Sequence, residues 1–230
     1  MAIPDEPSIV IERRRGLAGE LQLQRRGDSY EIIYNGVFLM ASYNGASEKA
    51  AVRDALQDLP HEEKSLAVLM GGLGMGYSLQ EALDCPQVQR VDVVEIEPAI
   101  IEWNRKIFPT LNGRALDDPR TEIVAADFRK VLVEEAEKAA LKGPVFDVIM
   151  VDTDNGSSWL SLPENAFFYS SVGLKLIDRC LVPGGAVCFW CSRSEKEFEE
   201  RLKIFFHRVS FRCLTEETGH EGCYYLAGKP

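Results

Sequence analysis

The sequence predicts an α/β fold, a doubly wound and mostly parallel sheet preceded by a small antiparallel β appendage. Three observations lead there. Short apolar runs at 66–70, 91–94, 121–125, 146–151 and 186–191 alternate with stretches of helical periodicity, the pattern of parallel strands joined by helices. The first run passes directly into Gly71-Gly72-Leu73-Gly74-Met75-Gly76, where glycine lets the backbone approach a ligand and the following helix offers free N–H groups. The last two β-rich runs, near 209–214 and 223–227, have a short connection through Gly219 and Gly222 that permits only antiparallel pairing.

Taken in order, residues 1–46 form the appendage and 47–230 the nucleotide-binding-type domain. In the first part, Ile9-Val10-Ile11 and the segments 20–26 and 30–42 are rich in β-formers, and Gly27-Asp28 and Asn35-Gly36 supply turns, giving two to four strands. Residues 48–59 place Ala51, Val52, Ala55, Leu56 and Leu59 on one helical stripe, with Ser47 as N-cap and Pro60 as stop. After the glycine turn a helix opens at 77–84. Strand 91–94 then delivers Glu95, nineteen residues beyond Gly76. That is close to the offset of ~20 residues at which a carboxylate meets ribose hydroxyls in a nucleotide-binding βαβ unit. Pro98 starts a helix to about residue 108, and Asp118-Pro119 turns into strand 121–125. Asp127 precedes a helix ending near Gly143-Pro144, for which it is also a good N-cap. Strand 146–151 ends in Asp152-Thr153-Asp154-Asn155-Gly156. A loop follows, then a helix at 167–180 with Phe167, Phe168, Leu174 and Ile177 in its core, a turn at Pro183-Gly184-Gly185, strand 186–191, a helix at 194–206 and the closing hairpin.

Composition narrows the function. With 46% hydrophobic and 27% charged residues, the 230-residue chain is an ordinary soluble globular protein able to bury a full core. Its formal net charge of −10 speaks against nucleic acid as a partner and suits a cationic substrate. No apolar run reaches the ~20 residues needed to cross a bilayer, and the first residues lack a signal-peptide pattern, so a cytoplasmic location with no membrane association is expected. Arg13-Arg14-Arg15 reads as a solvated strand or turn. Cys188-Phe189-Trp190-Cys191 has the spacing of a redox or zinc pair, but residues three apart on a strand point to opposite faces. All six cysteines are therefore read as reduced and mostly structural. His61, His207 and His220 are too scattered for a metal site.

The stretches GGLGMG, VDVVEIEPAIIEW, DPRTEIVAADFRKVL, FDVIMVD and FFYSSVGLKLIDRCLVPGG resemble, in order and spacing, the spermidine synthase family of aminopropyltransferases. LQLQRRGDSYEIIYNGVFLM is similar to the N-terminal sheet covering those enzymes' substrate pocket, so the resemblance runs from about 20 to 227. It implies a class I AdoMet methyltransferase fold of seven strands, with S-adenosylmethionine (AdoMet) or decarboxylated AdoMet as co-substrate. Gly71, Gly72, Gly74, Gly76, Ile96 and Phe128 would surround that nucleoside, Glu95 would accept from its ribose diol, and Asp127 would hold its adenine amino group. Asp152 would orient and deprotonate the attacking amine, with Asp154 as companion acid; Glu48 and Asp154 would meet the acceptor. A homodimer is also implied. Apart from the resemblance, Trp159 and Leu160, in the loop after the acidic pair, read either as part of a lid that brings Trp159 onto the substrate or as loop anchors packed on the core.

The chain departs from the family pattern in three places. Gly74 stands where the family carries an Asp facing the amine end of decarboxylated AdoMet. Asp152-Thr153-Asp154-Asn155 is one residue shorter than the Asp-x-x-Asp-Pro motif and lacks its Pro. Asn44-Gly45-Ala46-Ser47-Glu48 replaces the Asp-Glu and Tyr-His-Glu positions, and only Glu48 keeps their chemistry. Loss of the Gly74-position acid removes an attraction for the decarboxylated donor and a repulsion of the carboxylate of AdoMet. Transfer of an alkyl group to a small amine is therefore expected, methyl ahead of aminopropyl. Aminopropyl transfer proper, in polyamine biosynthesis, and a catalytically silent nucleoside-binding homologue stand as alternatives. An NAD-dependent dehydrogenase shares the glycine turn but fits the Asp127 loop and the closing hairpin poorly.

Overall fold

The computed structural model describes residues 6–17, 19–60, 65–216 and 218–230; His61 lies outside them. Four strands, β1 (Ile9–Arg15), β2 (Glu20–Arg26), β3 (Ser29–Tyr34) and β4 (Val37–Ala41), form an antiparallel meander in chain order. Its tight turns are the expected ones. Gly27-Asp28 sits between the paired residues Arg26 and Ser29, and Asn35-Gly36 between Tyr34 and Val37. Asn35 and Gly36 both have positive φ, as a two-residue hairpin turn of the primed type requires. Arg14 of the basic cluster forms ion pairs with Glu12 and Glu102, and Arg13 and Arg15 are exposed.

The larger sheet has seven strands in the order β10-β11-β9-β8-β5-β6-β7. The parallel set comprises β5 (Leu66–Gly71), β6 (Val88–Glu95), β7 (Thr121–Ala125), β8 (Phe146–Val151) and β9 (Leu181–Cys191). The antiparallel hairpin of β10 (His207–Thr215) and β11 (Glu221–Gly228) closes the β9 edge. Strand alternation divides the core into two layers. Val68 and Met70 face one layer with Ala51 of α1 (Ala46–Gln57), Leu79 of α2 (Tyr77–Asp84) and Trp103 of α3 (Pro98–Lys106). Leu69 and Ile149 face the other with Leu132 of α4 (Phe128–Lys142), Ile177 of α5 (Ser171–Cys180) and Leu202 of α6 (Lys196–Phe205). Among the described residues no helix is long and apolar enough to cross a membrane.

The local expectations differ from the structure in four ways. Helix α1 starts two residues earlier than expected, from Gly45 with no side-chain cap of its own, so Ser47 lies inside the first turn. The predicted helix at 167–180 is a 3-10 turn, Pro163–Phe167, followed by α5, because Ser170 caps at the N–H of Gly173 and fixes the start there. Pro183-Gly184-Gly185 does not precede β9 but lies within it, where the pairing with β8 shifts register. Finally, Cys213 and Cys223 are directly opposed across the β10–β11 hairpin and disulfide-bonded, their Cα atoms 4.1 Å apart. Six reduced thiols is therefore wrong, because hairpin register, which cysteine spacing does not reveal, pairs these two. Cys188 and Cys191 are free and buried, in opposite core layers, as strand alternation requires.

Candidate active site

Strand order reverses at β5, which has β6 on one side and β8 on the other, so the loops leaving these strands part and open a crevice at their carboxyl ends. The turn after β5 and the turn after β8 meet closely there. Asp152 N–H donates to Gly71 O at 2.9 Å, and a Cβ on Gly72 would lie 2.1 Å from Asp152 O, so only glycine fits. The four-stranded sheet covers the opening with Leu21, Tyr34, Leu39 and Met40. The resulting pocket holds about 1030 Å³ of empty space, part of it open to solvent.

Of the glycines read as ligand contacts, Gly72 and Gly74 line this pocket. Gly71 and Gly76 do not. A Cβ on Gly71 would strike the Phe128 ring at 2.1 Å, and one on Gly76 would meet Asn112 and Asn104, so these two serve packing behind the turn. Gly74 has φ +53° and is covered by Met40, whose Sδ accepts from Met75 N–H at 3.1 Å and would lie 2.7 Å from a Cβ at Gly74.

Glu95 ends β6 and is largely buried, but lines the pocket. Its two oxygens accept from Leu73 N–H at 2.9 Å and Glu97 N–H at 2.8 Å. Burial raises its pKa to about 6 despite those two donors. Each oxygen keeps a further lone pair for a ligand hydroxyl. Ile96 and Phe128 both line the wall, and Phe128 stacks on Phe168 with ring centroids 5.0 Å apart. Asp127 is the N-cap of α4, accepting from Arg129 N–H, and its carboxylate also holds the Arg129 guanidinium. Against the cost of burial, Arg129 holds that carboxyl below the usual range.

The second acidic group lies across the same cavity. Asp152 accepts no side-chain hydrogen bond among the described residues, and burial, then Glu48, Asp154 and Glu95, push its pKa up to about 8. Glu48, on the first turn of α1, is held by Ser47 Oγ at 2.6 Å, and burial raises it to about 7. Asp154 also reaches the cavity wall, but its oxygens accept from Ser161 N–H at 2.7 Å, Asn165 Nδ2 at 3.0 Å and Thr153 Oγ1 at 2.8 Å. Its carboxylate thus fastens the loop that follows β8. Trp159 is not in the pocket wall, because that fastening turns the chain back at Ser161 and leaves residue 159 outside; the neighbouring Leu160 packs on the core. Trp190 of β9 lines the cavity instead, and its indole N–H donates to Ser47 Oγ at 3.1 Å. Glu97 is a further pocket acid, buried and accepting from Leu17 N–H and Tyr34 OH. Its position two residues after Glu95 was a usable signal, and the wall from the small sheet falls in the stretch likened above to a pocket-covering sheet; Trp190 had no such signal.

A spermine/spermidine synthase domain model matches residues 50–211, more than half of the chain. The chain belongs to the spermine/spermidine synthase family. Within that family it is 34% identical over 134 residues to putrescine N-methyltransferase 1 of Nicotiana tabacum, and 37% over 128 residues to a polyamine aminopropyltransferase of Thermoanaerobacter sp. strain X514. Those matches cover 58% and 55% of this chain but only 32% and 41% of the relatives' lengths. In fold it is similar to the spermidine synthase of Thermotoga maritima, with a TM-score of 0.76 at 19% identity over 96% of this chain and 73% of that one. A spermidine synthase in complex with the transition-state analogue AdoDATO gives a TM-score of 0.78, also at 19% identity, over 96% of this chain and 74% of that one.

Proposed function

We propose that this chain is an AdoMet-type alkyltransferase acting on a small amine, with AdoMet or decarboxylated AdoMet as co-substrate and methyl transfer ahead of aminopropyl transfer. The observation that carries the reading is the charge of the pocket. Glu48, Glu95, Glu97, Asp127, Asp152 and Asp154 line it, and among the described residues no Lys, Arg or His does. Such a cavity attracts a sulfonium and an ammonium and repels the pyrophosphate of a dinucleotide, which argues against the dehydrogenase alternative.

In this reading Glu95 accepts from the ribose hydroxyls with its remaining lone pairs, and Asp127, already neutralised in part by Arg129, accepts from the adenine amino group. The sulfonium supplies a good leaving group, so the protein's task is to aim a nucleophile in line and keep water out. An alkyl ammonium must first lose a proton. Asp152 is suited to this, because a carboxyl titrating near the working pH takes a proton well and an arriving cation draws it into the charged form. The amine proton moves to Asp152, the nitrogen lone pair forms the new bond to carbon, and the carbon–sulfur bond breaks to leave a neutral thioether. Glu48 holds the amine from the far side, and Asp154 keeps the loop in place. Gly74 and Met40 support the methyl preference, since they leave the glycine turn without an acid at that point. The relatives named above comprise both reaction types. The proposal includes a homodimer, which light scattering tests.

Incubation with putrescine and each donor separately, followed by mass spectrometry, tests the reading. S-adenosylhomocysteine from AdoMet is the expected product. Methylthioadenosine alone, from the decarboxylated donor, would overturn the methyl preference. Neither product across a diamine panel, with the nucleoside still bound, would leave the silent homologue standing.

A further inference from the structure

Helix α1 delivers Glu48 to the pocket, yet the residue before it, Gly45, has no side chain with which to cap the first turn. The free N–H groups of that turn must find acceptors elsewhere. They find one far along the chain. Glu216, in the turn of the β10–β11 hairpin, accepts from Ser47 N–H at 3.0 Å and from Ala46 N–H at 3.3 Å. It is buried, at 7% exposure. Its own backbone is fixed by Glu216 N–H to His220 O at 2.7 Å and Gly219 N–H to Glu216 O at 2.8 Å. A third tie joins the same two segments, Thr218 Oγ1 to Asn44 Oδ1 at 3.0 Å. The Cys213–Cys223 disulfide closes the neck of the turn. From Ser47 the chain of contacts continues to Glu48 and to Trp190, both in the pocket wall.

We infer that Glu216 is a positioning residue for the acceptor end of the site: it caps α1 from across the molecule and so sets the place of Glu48. This rests on the reading above, in which Glu48 holds the amine. Glu216 does not line the pocket and touches no substrate. Its effect is confined to the acceptor, because the nucleoside side is built from the turns after β5, β6 and β7.

Calorimetric titration of the full chain, first with S-adenosylhomocysteine and then with putrescine on the nucleoside-loaded protein, tests this. Glu216→Ala should weaken putrescine binding at least tenfold and change nucleoside affinity less than twofold. Ser47 N–H and Ala46 N–H bond different oxygens of Glu216, so Glu216→Gln keeps an acceptor for one of them and should restore putrescine binding in part, to a value between those of the Ala variant and wild type. If the Ala variant does not fold, Glu216→Asp carries the test. It keeps the charge but is one methylene short, and weakened putrescine binding with unchanged nucleoside affinity supports the inference. Wild-type putrescine affinity in the Ala or Asp variant overturns it, as does a Gln variant no better than Ala. A wild-type protein that binds the nucleoside but no amine would overturn the acceptor reading itself, and this inference with it.

Discussion

Replacing Asp152 with Asn sets stability against turnover in one substitution. Burial and three neighbouring carboxylates raise the Asp152 carboxyl from its ordinary range to about 8. The unfolded chain releases that proton near pH ~3.9. Between those values the folded state binds a proton that the unfolded state has lost, so this group's contribution to stability is full below pH ~4, declines as pH rises and is lost above 8. Asn carries no such charge and leaves the slope out. Each pH unit of displacement is worth about 1.4 kcal/mol, and the titration of Asp152 is coupled to that of its neighbour Glu48, which spreads the effect over both groups, so we expect the variant to be about 1–3 kcal/mol more stable at pH 8. For a chain of this size that raises Tm by roughly 3–10 °C. Thermal melts at pH 4, 6 and 8 should show the two proteins converging at pH 4 and separating with pH. Turnover with putrescine should fall by a factor of ~10² or more, the usual worth of a positioned base, while nucleoside affinity holds. A variant less stable than wild type at pH 8, or one with unchanged turnover, would refute the assignment of Asp152 as a base whose pKa is raised by its surroundings.

Further perturbations address other parts of the molecule. Glu95→Gln keeps an acceptor for only one of the two N–H groups at 2.9 and 2.8 Å and removes the charge, so nucleoside affinity should drop by roughly ten- to a hundredfold in calorimetry. Gly74→Ala places a Cβ 2.7 Å from Met40 Sδ at a φ of +53°, and should cost about 1–3 kcal/mol in denaturant melts. Met40→Ala in the same chain should recover part of that loss, and a double-mutant cycle without coupling would deny the contact. Reduction of Cys213–Cys223 by a dithiol frees a loop of sequence separation 10 and should lower stability by about 2–3 kcal/mol, read as a drop in Tm that Cys213→Ser/Cys223→Ser reproduces.

The strands of the large sheet, though not their spatial order, were legible because five apolar runs and a glycine turn carry their own physics. A buried strand must be apolar, a close turn needs positive φ, and a short connection forces antiparallel pairing. The same local rules placed Gly72, Glu95, Asp127 and Asp152 at strand ends, and strand ends are where an α/β sheet opens. Ser47 shows the limit. As a sequence it is a good N-cap, but Glu216 supplies that cap from the hairpin and frees the Ser47 hydroxyl for Glu48 and Trp190.

The chain's own pattern thus determined the fold class, the strand–turn–helix unit with Gly72 and Glu95, and the supply of carboxylates at one edge of the sheet. Only the tertiary structure decided that Trp190 and not Trp159 faces the cavity, that Met40 covers Gly74, that Asp154 is spent on its loop, and that Cys213 meets Cys223. The physical reason is range. Periodicity and turn chemistry act over a few residues, whereas these four outcomes depend on how the small sheet docks on the large one, on hairpin register and on where a loop is fastened.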